Sequence, residues 1–186
     1  MHNFRYLLSS SSPRRRELLK QIGLRFRVKK ISFEEIMTES FSRKTILKLA
    51  VDKARVSVAY ARKNEVIISA DTVVVLGKRV FGKPRDKKDA FLMLKELSGK
   101  THIVFTAFAV IHNRAEYKDI EETKVTFKKL SDNEIKSYID TDEPMDKAGA
   151  YAVQGMGALF IKRIDGDYFN VVGLPLFRLG QIINSF

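Results

Sequence analysis

Asp71 stands inside the most apolar run of the chain, Val66-Ile67-Ile68-Ser69-Ala70-Asp71-Thr72-Val73-Val74-Val75. A strand this apolar is expected to be buried on both faces. A carboxylate within it needs a partner, a metal or an opening to solvent. Two readings follow: a structural aspartate bonded to backbone or to a lysine, or a catalytic group where an apolar strand meets a cleft. Lys53 poses the same question on a helix. At 100° per residue, Ile46, Leu49, Ala50, Ala54, Val56 and Tyr60 define one face, and Lys53 falls near its centre. It either snorkels along its stem or serves a functional site. The third feature is Ser9-Ser10-Ser11-Ser12-Pro13-Arg14-Arg15-Arg16. Serine before proline caps a helix whose first turn proline favours. Free N–H groups and the positive end of the helix dipole there attract anions, and Arg14 and Arg15 add donors suited to phosphate.

Weaker signals accompany these. Lys83 precedes Pro84, which holds it extended and fixes its direction. Glu34-Glu35 form a carboxylate pair that could hold a divalent cation or stand solvated in a loop. Asp146-Lys147-Ala148-Gly149-Ala150-Tyr151 and Gln154-Gly155-Met156-Gly157 make a loop whose small residues permit close approach of a ligand, or an ordinary turn. His2, His102 and His112 are scattered, which argues against a zinc site, and neither a P-loop nor a G-x-G-x-x-G fingerprint is present.

The elements that must position these residues alternate. Strands are expected at Phe4 to Leu8, Phe26 to Ile31, Val66 to Leu76 and a short stretch through Phe81. Further strands are expected at Thr101 to His112, Glu116 to Phe127, Leu159 to Ile164 and Tyr168 to Val172. Helices are expected from Pro13 to Gly23, from Ser42 to about Arg62, over Lys87 to Leu97, from Ser131 through Tyr138, and after Pro175. Turn residues separate them at Gly77-Lys78, Asn113-Arg114 and Asp165-Gly166-Asp167. This alternation predicts a single α/β domain over residues 1–186 with a mixed sheet.

Composition narrows the class. The chain has 186 residues, 45% of them apolar, with 10 Gly and 4 Pro, which suits one domain with a sizeable core and not disorder. No apolar run approaches a membrane span, and Met1-His2-Asn3-Phe4-Arg5 shows no apolar signal segment. Absence of cysteine removes disulfides and thiolate metal sites and fits a reducing cytoplasm. The net charge of +12 suits anionic partners, but Lys and Arg are dispersed among Asp and Glu. That pattern predicts a solvated surface and no specific nucleic-acid binding.

Taken in order, the segments resemble the Maf family of nucleotide pyrophosphatases. The resemblance rests on Ser10-Ser11-Ser12-Pro13-Arg14-Arg15-Arg16-Glu17-Leu18-Leu19, Glu35, Leu49-Ala50-Val51-Asp52-Lys53-Ala54, Ala70-Asp71-Thr72-Val73-Val74, Gly82-Lys83-Pro84, Leu97-Ser98-Gly99-Lys100-Thr101-His102, Asp146-Lys147-Ala148-Gly149-Ala150-Tyr151 and Gly173-Leu174-Pro175-Leu176. It implies an elongated mixed β-sheet flanked by helices, with two lobes around a cleft, similar to the inosine triphosphate pyrophosphatase type. It implies hydrolysis of a nucleoside triphosphate to the monophosphate and pyrophosphate with a divalent cation, Mg2+ or Mn2+. Asp71 would act as general base on the attacking water, with Glu35, Lys53 and Lys83 in the catalytic set and Glu35 and Asp71 as candidate metal ligands. Ser10, Arg14, Arg15, Thr72 and Gln154 would bind substrate. Arg14, Thr72 and Gln154 match the branch acting on dTTP and UTP, with modified pyrimidine nucleotides as further candidates. Ser9, Ser69 and Ala152-Val153 depart from that pattern by small or apolar replacements. The resemblance also suggests a homodimer, and a nucleotide-binding regulator of septum formation is the alternative to an enzyme.

Overall fold

The computed structural model describes residues 4–31 and 41–185, so Glu34 and Glu35 lie outside the described residues. The first half contains β1 (Arg5–Ser9), α1 (Pro13–Gln21), β2 (Phe26–Val28), α2 (Arg43–Ser57), β3 (Glu65–Leu76), β4 (Arg79–Phe81) and α3 (Lys87–Leu97). The second contains β5 (Thr101–His112), β6 (Ala115–Phe127), α4 (Asp132–Ile139), β7 (Ile161–Asp165), α5 (Tyr168–Val172) and α6 (Leu176–Ile183), with short 3-10 turns between α4 and β7.

Local chemistry sets most of these boundaries. Ser12, Ser42, Asp86 and Ser131 cap α1, α2, α3 and α4 by accepting from the third residue beyond, and Glu134 completes a capping box with Ser131. Asn113 and Arg114 both take positive φ, the geometry of a tight two-residue hairpin turn, and close His112 onto Ala115.

Among the described residues the strands form one mixed sheet in the order β2-β1-β3-β5-β6-β7, with β4 also on β3. β1 runs parallel to β2 and β3, while β3, β5, β6 and β7 pair antiparallel. The alternation of β3 and β5 decides which side each residue takes. Their odd-numbered residues Ile67, Val75, Phe105, Ala107 and Ala109 pack under α2 against Ile46, Ala50, Val51 and Ala54. Their even-numbered residues form two separate clusters on the other face. One gathers Ile68, Ala70, Phe108 and Val110 with α1 and α6; the other gathers Val74 and Val104 with α3 and α4. Each fully buried Leu, Ile or Phe there stabilises the fold by roughly 1.5–3 kcal/mol.

The structure corrects one predicted element. Tyr168 to Val172 is a helix and not a strand, because Asp167 caps it from the Phe169 amide and Gly173, at φ 123, ends it. A five-residue aromatic and β-branched run does not distinguish the two by itself. The strand expected from Leu159 begins at Ile161, after a 3-10 turn at Met156–Phe160.

Candidate active site

The site is a break in the sheet edge. β1 pairs with β3 as far as Ser9 opposite Ser69, and β4 resumes on the same edge at Phe81 opposite Val74. Residues 70–73 keep β5 on one side and neither strand on the other. A cleft of about 320 Å³ opens there, within the size range of small-molecule sites. Asp71, Thr72, the serine loop with Arg14 and Arg15, Lys53, Lys83 and the segment Asp146 to Ala148 line it.

Asp71 and Lys53 meet across this gap. Asp71 has an odd position, so it faces α2, and Lys53 Nζ lies 3.0 Å from Asp71 Oδ1. Only 12% of the lysine side chain and 13% of the aspartate side chain are exposed. The charged residue at the centre of an apolar helix face and the carboxylate in an apolar strand are therefore each other's partners. Both also line the cleft, which keeps them in reach of a ligand. Next to them, Ser69 Oγ donates to the Ala50 carbonyl, and Ser57 and Ser9 bond to each other and to the Lys53 carbonyl. These bonds dock α2 on the strands that carry Asp71.

Thr72 has an even position and faces the other side. Its hydroxyl accepts from Arg15 Nη2 at 2.9 Å. Arg15 Nε donates to the Gly173 carbonyl at 2.7 Å and Nη1 to Ser10 Oγ at 3.1 Å. Ser10 Oγ also accepts from the Ser12 amide. The arginine is thus held at the N-terminus of α1, in a plane set by three acceptors from three segments. Arg14 reaches the opposite wall and donates to the Asp146 carboxylate and carbonyl.

The wall beyond β4 comes from the loop after α4. The Gly149 amide donates to the Gly82 carbonyl at 2.9 Å, which ties this loop to the Lys83 turn. Gly149 takes φ +71, and a Cβ there would sit 3.0 Å from Val74, so the close approach requires glycine. Lys147, with 13% of its side chain exposed, donates to the Glu143 carbonyl and to Asp146. Burial pushes the Asp146 carboxyl up, but Lys147 and Arg14 outweigh it and hold it below its usual value. Behind the wall, Tyr151 O–H and His102 Nε2 meet at 2.8 Å within a ring cluster that includes Phe127. Burial holds the His102 pKa down to about 4 and pushes Tyr151 up.

The structure brings Ser10, Arg14, Arg15, Lys53, Asp71, Thr72 and Lys83 to one cleft. Gln154 is exposed and is not among the lining residues. The chain just beyond it is anchored elsewhere, since the Met156 and Gly157 amides donate to the Glu143 carboxylate. Glu35 lies outside the described residues. Lys147 and Asp146 line the cleft although neither was a candidate by itself; their signal was the small-residue loop they stand in and the family segment.

Among the described lining residues, Arg14, Arg15, Lys53, Lys83 and Lys147 face two carboxylates, Asp71 and Asp146, a surplus of three positive charges. Such a cleft suits a polyanion. The described residues contain no group of three or more His, Cys, Asp or Glu that could hold a metal ion. The Asp71 carboxylate offers hard oxygen donors at the cleft, while that of Asp146 is engaged by Arg14 and Lys147; one carboxylate fits a cation such as Mg2+ that takes one or two carboxylates together with substrate phosphates. No helix among the described residues is long and apolar enough to cross a membrane.

A dTTP/UTP pyrophosphatase of Thermoanaerobacter sp. (strain X514) is 49% identical over 181 residues, spanning 95% of this chain and 94% of that protein. A dTTP/UTP pyrophosphatase of Clostridioides difficile (strain 630) is 44% identical over 183 residues, spanning 97% and 94%. A crystal structure of a nucleoside-triphosphatase, a dITP/XTP pyrophosphatase from Mycobacterium abscessus, superposes with a TM-score of 0.46 at 13% identity over 98% of each chain. Residues 5–186 match the Maf-like protein family, and the chain belongs to that family.

Proposed function

We propose that this protein hydrolyses nucleoside triphosphates to the monophosphate and pyrophosphate, with dTTP and UTP as its substrates. The observation that carries the reading is the Asp71–Lys53 pair, which opens on a cleft with surplus positive charge beside the N-terminus of α1. The names of the relatives at 44–49% identity support the choice of pyrimidine nucleotides.

The triphosphate brings about four negative charges, and Arg14, Arg15, Lys83 and Lys147, with Asp146 between Arg14 and Lys147, leave a net positive wall to meet it. Asp71 accepts a proton from a water whose oxygen then bonds to the α-phosphorus. The bond from that phosphorus to the bridging oxygen breaks, and pyrophosphate leaves with the bond electrons. Lys53 keeps the Asp71 carboxylate oriented before the transfer and offsets charge beside it. Asp71, with Glu35, would hold a divalent cation, Mg2+ or Mn2+. Bound there, it would neutralise phosphate charge. Thr72 does not contact substrate as a donor in this scheme; it supports Arg15. A reaction on the free nucleotide pool belongs to the cytoplasm, and modified pyrimidine triphosphates share the features that the cleft would recognise.

The test is release of pyrophosphate from a panel of dTTP, UTP, CTP, dATP, GTP and 7-methyl-GTP with Mg2+ or Mn2+. Turnover is expected to be fastest with dTTP and UTP. No pyrophosphate from any of them would sink the enzyme reading, and a purine as best substrate would sink the pyrimidine assignment.

A further inference from the structure

The even face of the sheet is divided where it has every opportunity to be continuous. On β3, Thr72 lies between buried Ala70 and Val74; on β5, its register partner Thr106 lies between buried Val104 and Phe108. Thr106 is 0% exposed, as is Asn170 on α5. Apolar residues at these positions would join the two clusters on either side, so packing alone does not call for hydroxyls here.

The hydrogen bonds across this seam have a forced direction. Arg15 can only donate, and the Asn170 backbone carbonyl can only accept. Between them stand two hydroxyls with one proton each. Arg15 Nη2 donates to Thr72 Oγ1 at 2.9 Å, Thr72 and Thr106 Oγ1 lie 2.9 Å apart, and Thr106 Oγ1 donates to the Asn170 carbonyl at 3.0 Å. The Thr106 proton is engaged by the carbonyl, so Thr72 donates to Thr106 and presents only lone pairs to Arg15. The Asn170 side chain fixes the far end, donating to the Val104 carbonyl and to Thr123 Oγ1, and Thr123 in turn donates to the Asp167 carbonyl. The same helix ends at Gly173, whose carbonyl takes Arg15 Nε.

We propose that Thr72, Thr106 and Asn170 form a one-way relay that sets the plane of the Arg15 guanidinium, which makes Thr106 and Asn170 positioning residues for binding of the substrate's phosphates. The inference rests on the reading of the cleft as a triphosphate site. It assigns Thr72 a role in holding Arg15 and not in donating to the nucleotide, because its proton is already engaged. Chains of this kind polarise one another, so a hydroxyl lost at the buried end is felt at the arginine.

The test compares Thr106→Val, which keeps the shape and removes the hydroxyl, with Thr106→Ser, which keeps the hydroxyl. Thr72→Val and Thr72→Ser repeat the comparison at the cleft rim, where folding is less at risk. The readouts are KM and kcat for dTTP, the thermal midpoint, and calorimetric binding of inorganic tripolyphosphate. Each valine variant is expected to raise KM and weaken tripolyphosphate binding roughly tenfold, with a smaller change in kcat, while each serine variant stays near wild type. Valine variants that are folded and bind tripolyphosphate as wild type does would overturn the relay, as would equal losses in valine and serine variants. Tripolyphosphate binding needs no turnover, so the relay is tested separately from the reaction: a wild-type protein that binds tripolyphosphate without cleaving any nucleotide would refute the pyrophosphatase reading alone.

Discussion

Residues 71 and 72 are neighbours on β3 and serve opposite faces of the sheet by opposite means. Asp71 meets Lys53 as a charged pair, and both remain partly open to the cleft. Thr72 leads into an uncharged seam of hydroxyls and an amide that closes at 0% exposure. Burying a charge away from water is costly even when it is paired. A neutral hydrogen-bonded seam can be buried at lower cost when its donors are paired, as they are here, although Asn170 Oδ1 is buried without a hydrogen-bond partner among the described residues. The charged pair therefore stands at the rim, where the proposed mechanism needs Asp71 to exchange a proton with water, and the neutral groups that hold a neighbour stand inside.

This contrast can be broken most severely on the charged face. Asp71→Asn keeps the shape and removes the proton acceptor; turnover of dTTP should fall by roughly a hundredfold to ten-thousandfold, while tripolyphosphate still binds. Full activity in that variant would remove Asp71 as the base.

A second neutral buried group, His102 against Tyr151, sharpens the comparison by titration. Its folded pKa of about 4 lies below the ordinary 6.5, so the unfolded chain binds the proton first. The stability that depends on neutral His102 is complete above pH 6.5 and is lost as the pH falls from 6.5 towards 4, about 3 kcal/mol in all. Glu65, held below its usual value by Arg27, adds its own loss only at the acid end. Denaturant melts from pH 7 to 4.5 should show this slope, and His102→Phe should flatten its upper part. An unchanged slope in the variant would assign the loss to other groups.

On the neutral face, Arg15→Lys tests geometry against charge. A lysine keeps the cation but cannot meet the Gly173 carbonyl, Ser10 and Thr72 in one plane. A loss of roughly tenfold in kcat/KM is expected; activity equal to wild type would mean that charge alone suffices there.

Much of this arrangement was legible in the sequence where signals are local. Asp86 and Leu97 bracket α3, and Asn113-Arg114 set the β5–β6 hairpin, because caps and turn residues act on their own neighbours. Lys53 and Asp71 were legible as anomalies, each polar on an apolar face, although neither pattern says that they meet. The seam was not legible. Thr106 is an ordinary strand residue by type, and its meaning comes from a register opposite Thr72 and a contact with Asn170 across 64 positions of chain. Reading Tyr168 to Val172 as a strand hid that contact further, since it is a helix there that brings the Asn170 carbonyl to Thr106 and ends with the Gly173 carbonyl on Arg15. Gln154 shows the converse: its segment fits the family pattern, yet its side chain is exposed outside the cleft lining.

The central claim is attack on the α-phosphorus by a water that Asp71 activates in this cleft. Hydrolysis of dTTP in 18O-enriched water, followed by mass spectrometry of both products, tests it most directly. The account predicts one heavy oxygen in the dTMP phosphate and none in the pyrophosphate. Label in the pyrophosphate, or release of inorganic phosphate with dTDP, would contradict it.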